Sequence, residues 1–541
     1  MRKLFLFFLL GCLTATAQDN SSYTEDEFLR GSITPEREWW DLTYYHLDID
    51  VNPDEKYISG SNTIRFKVLE ENEVMQIDLQ PPLKIEKVEY QNSELTFKKK
   101  GSNAHMVLFE NPPKKGSIAE VTVQYSGRPK EAIRAPWDGG FSWKKDGNGN
   151  HFVATSCQGL GASVWWPNKD HMYDEVDSMM ISVTFPKNLM NVSNGRLRKV
   201  EETDSTKTTH WYVDNPINNY GVNVNIGDYV HFSEKYQGEQ GELDLDYWVL
   251  RENLEKAKEQ FKQAPMTIAA FEHWFGPYPF YEDSFKLVEV PYLGMEHQSS
   301  VTYGNKYQNG YLGTDLSGTG WGLKFDFIII HEAGHEWFAN NITYKDIADM
   351  WVHEGFTAYS ENLYLDYHFG TEAAEDYVIG TRKNIQNDRP IIGRYNLNRR
   401  GSGDMYYKGA NILHTLRQLV EDDEKWRSIL RDMNKTFYHQ TVTTQQIENF
   451  LSKKTEKDLS AFFEQYLRTT MIPTLEYEFD GKKIKYRYVD VVEDFDMPVR
   501  VFVDEKEHWL FPNKNSEWKT EKLKGDALTI DRNFYIETNE I

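Results

Sequence analysis

Cysteine is almost absent from this chain. Among its 541 residues only Cys12 and Cys157 are cysteines, and Cys12 lies in a segment that we expect to be removed. A single remaining cysteine cannot form an intramolecular disulfide. An exported chain without disulfides also fits a bacterial envelope better than a eukaryotic secretory route.

Long apolar runs and low-complexity tracts are missing as well. No proline, glycine or glutamine tract predicts disorder, and no repeat has the period of a solenoid or a propeller. The one apolar run, Leu4–Leu10, is too short to span a bilayer. The sequence therefore predicts a globular chain without a transmembrane segment.

That apolar run belongs to a targeting sequence. It follows Arg2 and Lys3 and precedes the small residues at positions 15–17, which is the pattern of a secretory signal peptide over residues 1–17. We expect an exported protein, periplasmic or secreted, of bacterial type. In an alternative interpretation, Leu-Leu-Gly-Cys ending at Cys12 is a lipoprotein processing site, and Cys12 carries a lipid anchor.

Acidic residues outnumber basic residues in this chain. The chain has 61 Lys and Arg against 84 Asp and Glu, a net charge of −23, and removing the two positive charges of residues 1–17 gives −23 − 2 = −25. So acidic a chain is a poor binder of nucleic acid, because phosphate contacts need clustered Lys and Arg. The charge favours cationic substrates, although solubility alone also explains it.

Three domains are expected after the signal peptide. Alternating apolar residues, as in residues 44–51, 62–69 and 120–126, predict an antiparallel β domain over 18–233, and residues 218–230 read as a further strand. A helical pattern over 251–276 and helices from 325 onward predict a mixed domain over 234–471. Strands after Pro473 predict a small β-sandwich over 472–541. The fold class is therefore multidomain α+β.

The middle domain contains the stretch HEAGHEW, residues 331–337. On a helix, His331 and His335 lie one turn apart on the same face, so both imidazoles can reach one Zn²⁺. Glu332 lies beside them and can act as general base toward a metal-activated water. Glu354 follows after eighteen intervening residues, which is enough for a loop and the start of a second helix. We therefore predict His331, His335 and Glu354 as ligands of one Zn²⁺ per chain.

With these residues the sequence resembles the aminopeptidase N and leukotriene hydrolase family of zinc metallopeptidases. That family has a G-x-M-E-N motif just before its zinc helix, and Leu293–His297 takes its place here. The resemblance implies that Gly294, Met295, Glu296 and His297 bind substrate, with Glu296 holding its free α-amino group. A carboxylate beside the open metal position suits an ammonium ion, which only a chain terminus offers there.

Two further stretches support the resemblance. The segment YYKG at 406–409 matches the family's Y-x-K-G signature and implies that Tyr406, rather than Tyr407, stabilises the oxyanion. The segment SCQGLGASVWWP resembles the family stretch that contributes a glutamine or glutamate, so Gln158 is expected to help Glu296. The resemblance covers residues 40 to 541 and implies a saddle-like N-terminal β domain and a thermolysin-like catalytic domain.

The sequence also departs from the family pattern. Leu293 replaces the first glycine of G-x-M-E-N, His297 replaces its asparagine, and His353 replaces the asparagine before the third zinc ligand. We hypothesise that His297 and His353 shape the pocket for the first substrate residue or support the ligands; simple polar replacement is the alternative. The strands after Pro473 stand where most relatives continue into a helical domain, so we expect a more open substrate channel.

These observations predict a zinc aminopeptidase that acts on peptides with a free N-terminus. The rival functions are a thermolysin-like endopeptidase, an epoxide hydrolase side activity and a non-catalytic peptide-binding protein on the same fold. Glu296 argues against the endopeptidase, and the predicted export argues against the epoxide hydrolase. The complete set of ligands, base and tyrosine argues against the non-catalytic protein. The sequence leaves the oligomeric state open, with a monomer favoured.

Overall fold

The computed structural model describes residues 22–541. The predicted signal peptide and Cys12 lie outside the described residues, so their prediction stays untested. Across the described part of the chain, no helix combines the length and the apolar character that crossing a membrane requires.

The N-terminal domain consists mainly of strands. It begins with the short helices α1 (Glu25–Gly31) and α2 (Pro35–Glu38). Its strands are β1 (Trp40–Asn52), β2 (Tyr57–Val68), β3 (Val74–Asp78), β4 (Lys84–Tyr90), β5 (Ser93–Lys100), β6 (Ala104–Leu108), β7 (Ile118–Gly127), β8 (Gly140–Lys145), β9 (His151–Ser156), β10 (Met179–Pro186), β11 (Met190–Val192), β12 (Arg196–Glu202), β13 (Thr206–Val213) and β14 (Asn225–Gly227). They form a ten-stranded sheet in the order β12-β13-β10-β1-β2-β7-β4-β5-β6-β3 and a four-stranded sheet in the order β11-β14-β9-β8.

Two features of this domain differ from the prediction. The large sheet is not wholly antiparallel, because β1 runs parallel to β10. Residues 218–230, predicted as strand, contain only β14 and the first residues of the following strand. The segment is rich in asparagine, and Asn218 binds local backbone, accepting from the Gly221 N–H at 2.6 Å. Such bonds favour turns over a continuous strand.

The middle domain combines a mixed sheet with a set of helices. Its strands are β15 (Tyr229–Gly238), β16 (Gly241–Leu250), β17 (Phe285–Glu289), β18 (Gly294–Met295), β19 (Val301–Tyr303), β20 (Ile342–Tyr344) and β21 (Gln440–Val442). Its helices are α3 (Leu254–Gln260), α4 (Gln263–Phe275), α5 (Phe327–Gly334), α6 (Trp351–Phe369), α7 (Thr371–Gly380), α8 (Tyr407–Val420), α9 (Asp423–Thr436), α10 (Thr444–Thr455) and α11 (Ser460–Arg468). The main sheet has the order β15-β16-β17-β19-β18, which leaves β18 at its edge.

The limits of this domain are set by strand pairing and by proline. β15 pairs with β16 along its whole length, so the sheet of the middle domain begins at Tyr229 and the predicted boundary at 233/234 falls inside a strand. The helix predicted over 251–276 is two helices, α3 and α4. Pro265 explains the break, because its ring would clash with the carbonyl of Phe261 in a continuous helix but is tolerated in a first turn. The predicted end at Gly276 is confirmed, with φ of 96°.

The C-terminal domain has two small sheets. Its strands are β22 (Thr474–Asp480), β23 (Lys483–Val489), β24 (Val499–Val503), β25 (Lys506–Leu510), β26 (Lys519–Glu521), β27 (Leu528–Ile530) and β28 (Glu537–Glu540). The sheet orders are β26-β23-β22-β28 and β25-β24-β27. Both sheets bury alternate residues, such as Tyr486 and Val501, in a core continuous with that of the middle domain. The predicted α+β multidomain class is confirmed.

The N-terminal and middle domains share a second core along the approach to β18. Val288, Val290, Tyr292 and Met295 pack into the apolar core of the N-terminal domain. Tyr292 also donates a hydrogen bond to the Thr155 carbonyl at 2.8 Å. This packing fixes the edge strand against the N-terminal domain, and the candidate site lies where the two meet.

Candidate active site

The two histidines of HEAGHEW lie at the end of α5. Asp326 caps this helix by accepting from the Ile328 N–H at 3.1 Å, and His335 is its C-cap residue with helical backbone angles. The α-helix does not continue beyond this point, because the chain enters a wide turn with non-helical angles at Phe338. His335 stabilises that turn, because its Nδ1 bonds the Phe338 carbonyl at 2.9 Å.

Glu354 in the first turn of α6 faces both imidazoles. Its Oε2 lies 3.7 Å from His331 Nε2 and 3.3 Å from His335 Nε2. Ligand atoms of the three residues all lie within 4.8 Å of one another, and all three are buried. Within residues 22–541, Glu354 Oε2 has no hydrogen-bond partner. Two imidazoles and an unsatisfied carboxylate oxygen form a donor set that suits Zn²⁺.

The outer sides of both imidazoles are held by other groups. His331 Nδ1 bonds Glu361 Oε1 at 2.7 Å, and His335 Nδ1 lies 3.0 Å from the Thr357 hydroxyl. Tyr377 in turn donates to Glu361 at 2.6 Å. These contacts leave each Nε2 free to bind metal and fix the ring orientation. Sequence reasoning missed Glu361, although it follows Glu354 by seven residues and so lies on the same face of α6.

Glu296 closes one end of the site. Its Oε1 accepts from Gln158 Nε2 at 2.6 Å and from the Tyr220 hydroxyl at 3.1 Å. The structure thus brings Gln158 to Glu296, as predicted, and adds Tyr220, for which the sequence carried no signal. Glu296, Glu332 and His335 also place ligand atoms within 4.8 Å of one another. We assign the metal to His331, His335 and Glu354 instead, because Glu296 Oε1 already has two donors.

Glycine allows this edge strand to approach the zinc helix. A Cβ added at Gly294 would lie 2.6 Å from Ile328 Cγ2 and 3.3 Å from Glu332 Oε1. Gly294 therefore runs directly beside the predicted general base. Met295 and Glu296 line the same cavity.

His297 does not line that cavity, in contrast to its prediction as a substrate-binding residue. After Glu296 the chain turns, with the His297 N–H bonded to the Met295 carbonyl at 3.0 Å, and the buried ring faces Thr302 at 3.2 Å. Burial lowers the pKa of His297 to about 3, so it is neutral. His297 is thus a core residue behind the edge strand.

His353 supports Glu296 through Tyr220. The Tyr344 N–H donates to His353 Nε2 at 2.8 Å, which places the ring proton on Nδ1, 3.5 Å from the Tyr220 oxygen. Burial holds the pKa of His353 well below its usual value, so the ring is neutral. Tyr220 can then direct its own proton to Glu296. His353 lies outside the cavity lining and belongs to the supporting residues, one of the two hypothesised roles.

Glu332 and Tyr406 line the same cavity as the metal ligands. Burial raises the pKa of the Glu332 carboxyl to about 7. Tyr406 stacks on the His331 ring with centroids 6.1 Å apart, and burial and Glu354 raise the pKa of its hydroxyl well above the usual value. Tyr407 also lines the cavity, but the carboxylate that acts on it is Glu361.

The site cavity has a volume of about 330 Å³ and includes all the predicted site residues except His297. Arg400, which sequence reasoning missed, is the basic residue of its lining. The loop that carries Arg400 is held by α1: the Asn398 N–H donates to the Glu27 carbonyl at 2.9 Å, and Arg399 pairs with the Glu27 carboxylate at 2.7 Å. Helix α1 of the N-terminal domain thus supports the loop at the far side of the site.

Comparison with known proteins identifies the family. Residues 42–220 match the Peptidase M1 N-terminal domain, and residues 259–466 match the Peptidase family M1 domain. The chain belongs to peptidase family M1. Its M1 relatives include probable aminopeptidase 2 of Sulfurisphaera tokodaii, 21% identical over 67% of this chain and 46% of that protein. Leukotriene A-4 hydrolase of Xenopus laevis is 23% identical over 77% of this chain and 68% of that protein.

The M1 fold is also shared with solved structures. An M1 zinc metallopeptidase of Deinococcus radiodurans, in a variant bound to a Tyr-Ser-Ala substrate, has a TM-score of 0.66 and 18% identity, covering 81% of this chain and 96% of that one. Among the curated relatives, by contrast, the chain spans about half the length of several, such as 46% and 43% of two archaeal ones. The family resemblance stated from the motifs is confirmed.

Replacing Glu361 tests the support of the metal ligands. We expect Glu361→Gln to weaken zinc binding roughly 10- to 100-fold, because the neutral amide no longer orients and polarises His331. Competition between the protein and a calibrated chelator measures this affinity. Tyr377→Phe is the matched control, since it removes one donor to Glu361 and keeps the carboxylate. Equal affinities for Glu361→Gln and wild type would contradict the role of Glu361.

Proposed function

We propose that this chain is a zinc-dependent aminopeptidase that removes the N-terminal residue from peptides. The observation that carries the proposal is the position of Glu296. Its carboxylate lies within 4.8 Å of ligand atoms of Glu332 and His335, and it is buried at 2% exposure. A substrate ammonium held there places the first carbonyl beside the metal ligands and leaves no room for residues upstream.

The surroundings of the Glu296 carboxylate favour the binding of a cation. Gln158 and Tyr220 fix its carboxylate, and Asn340 donates to its backbone carbonyl at 2.9 Å. Burial raises the pKa of Glu296, so its charged form gains from a cationic partner that binds beside it. An ammonium supplies that partner, whereas an acetylated amine does not.

His331, His335 and Glu354 would hold one Zn²⁺, which would supply Lewis-acid chemistry by polarising the scissile carbonyl and acidifying water. Glu332 takes the proton of the attacking water and transfers it to the leaving amine. Its raised pKa suits both steps near neutral pH. Tyr406 remains protonated because its pKa is raised, so its hydroxyl can donate to the developing oxyanion.

The relatives support the substrate class. Several are named aminopeptidases, and the Deinococcus structure is described as bound to a Tyr-Ser-Ala substrate. Both facts concern those proteins. They support short peptides with a free N-terminus as the substrates of this chain, and they make an endopeptidase or a non-catalytic scaffold the weaker alternative.

A panel of aminoacyl-arylamides tests this function. We expect free-amine substrates to be hydrolysed, acetylated ones to be left intact, and a chelator to abolish turnover. Glu332→Gln should keep its zinc and lower kcat by roughly 10²- to 10⁴-fold, because the general base is lost. Zinc content measured alongside the rates separates loss of base from loss of metal. Cleavage of acetylated or internal sites would support an endopeptidase instead.

The two adjacent tyrosines allow a matched comparison. Tyr406→Phe should lower kcat roughly 10²- to 10³-fold with little change in KM, because the donated hydrogen bond forms only in the transition state. Tyr407→Phe should have a much smaller effect. Steady-state kinetics on the best arylamide measures both. A larger loss in Tyr407→Phe would transfer the role to that residue.

We also propose that the protein is exported as a periplasmic or secreted enzyme. The charged start, apolar run and small residues of positions 1–17 support cleavage after Ala17. The mass of the mature chain from the native host tests this. An N-terminus at Gln18 supports a free enzyme, a lipid-modified Cys12 supports the anchored alternative, and an intact Met1 would contradict export.

A further inference from the structure

A second groove continues from the site cavity. It has a volume of about 510 Å³ and shares Trp137 and Leu293 with the cavity lining. Beyond these shared residues it is lined by Val290, Pro291 and Tyr292, the residues that precede the edge strand. The groove is therefore an extension of the catalytic cavity along the same segment of chain.

The order of residues along this path gives the direction of a bound peptide. Glu296 lies at one end, Gly294 lies beside Glu332, and Leu293 leads into the groove. β18 is an edge strand, so an extended substrate can bind along it. A peptide with its amine at Glu296 and its cleaved bond near Glu332 must leave past Leu293. Its downstream residues then enter the groove.

The far wall of the groove is a rigid loop built around Asn305. The Asn305 amide donates to Asp326 Oδ1 at 2.8 Å, and its oxygen accepts from the Leu312 N–H at 2.8 Å. Asp326 caps the zinc helix, so this loop and the metal ligands share one support. Lys306 and Tyr307 are held in left-handed conformations, with φ of 59° and 58°. Non-glycine residues keep this geometry only where their surroundings impose it.

Two lysines and two exposed apolar residues give the groove its chemistry. Trp137 is 63% exposed at its entrance and Leu312 is 41% exposed in its wall. Lys256 and Lys306 also line it, and among residues 22–541 neither forms an ion pair with a carboxylate. Within the groove both lysine charges thus lack an acidic partner.

The acidic residue of the groove does not neutralise these lysines. Glu289 is 7% exposed, and its carboxylate accepts from the Leu250 N–H at 2.8 Å and from the Asn253 amide at 2.7 Å. Its two oxygens are thus bound to backbone and amide donors. The lysine charges remain available to an anion that enters from the active site.

We propose that this groove is a subsite for the residues downstream of the cleaved bond, and that Lys256 and Lys306 select a carboxylate there. The carboxylate belongs to the free C-terminus of a short peptide or to an acidic side chain two or three residues beyond the cleaved bond. Trp137 packs against the chain as it enters. The inference rests on the proposed aminopeptidase function, since it takes its direction from the amine at Glu296.

Peptides of two, three and four residues, each as free acid and as C-terminal amide, test the subsite. Their first residue is the one that the arylamide panel finds best. One of these peptide lengths should place the C-terminus at the lysines. For that length we expect kcat/KM of the free acid to exceed that of the amide by about fivefold, because two exposed ion pairs each contribute a small factor. Added salt should reduce this ratio. Amides that carry Asp or Asn at the third or fourth position separate a side-chain carboxylate from the chain terminus, and a gain with either source supports the subsite.

Charge variants attribute the preference to the lysines. The double variant Lys256→Gln, Lys306→Gln should bring the acid-to-amide ratio to about one, and the double glutamate variant should invert it. Lys258→Gln is the matched control, because Lys258 lies on the same helix outside the groove and pairs with Glu255. It should keep the wild-type ratio.

Two results would overturn the subsite: an acid-to-amide ratio of about one at every length in wild type, or an unchanged ratio in the double glutamine variant. Hydrolysis of free-amine arylamides distinguishes failure of the subsite from failure of the proposed aminopeptidase function. If wild type cleaves them while the peptides show no charge preference, the subsite is wrong and the aminopeptidase stands. If wild type cleaves neither, the proposed function itself fails.

Discussion

Four carboxylates share one cavity that is largely shielded from water, and their repulsion is the constraint on which the site depends. Glu296, Glu332, Glu354 and Glu361 are each at most 8% exposed. A buried charge without a partner is destabilising by several kcal/mol, so the surrounding residues must supply donors or positive charge. Although burial opposes it, Glu354 and Glu361 raise the pKa of His331 well above its usual value. In the proposed function, a divalent cation and a substrate ammonium satisfy the same demand.

The packing of the N-terminal and middle domains sets the positions of these charged groups. The edge strand is packed against the N-terminal core, which sets Gln158 and Tyr220 at a fixed distance from Glu296. The metal ligands belong to α5 and α6, whose positions depend on the core of the middle domain. The amine site is thus completed by residues of both domains, whereas the metal ligands all belong to the middle domain. Their separation, one residue of substrate, is a property of how the domains meet.

The sequence specified the metal ligands well because they depend on local rules. Helical spacing places His331 beside His335, and the eighteen-residue gap allows Glu354 to return on a second helix. Residues from loops were harder to predict: Tyr220 and Asn340 reach Glu296 only through tertiary packing, which leaves no periodic signal. His297 was assigned to the wrong side of its strand because the turn after Glu296 reverses the alternation. Two predictions of secondary structure were wrong because side-chain chemistry overrode the apolar pattern. They are the strand over the asparagine-rich residues 218–230 and the single helix over residues 251–276, which Pro265 interrupts.

The contact between α1 and the Arg400 loop has a consequence for biosynthesis. Glu27 is among the first described residues of the chain, and its partner Arg399 is made 372 positions later. The wall that α1 braces, with Tyr406 just beyond it, is therefore incomplete until synthesis has passed Arg399. The two N-terminal sheets contain no residue beyond Gly227, yet the wall of the candidate site closes only when the beginning and the late part of the polypeptide have met.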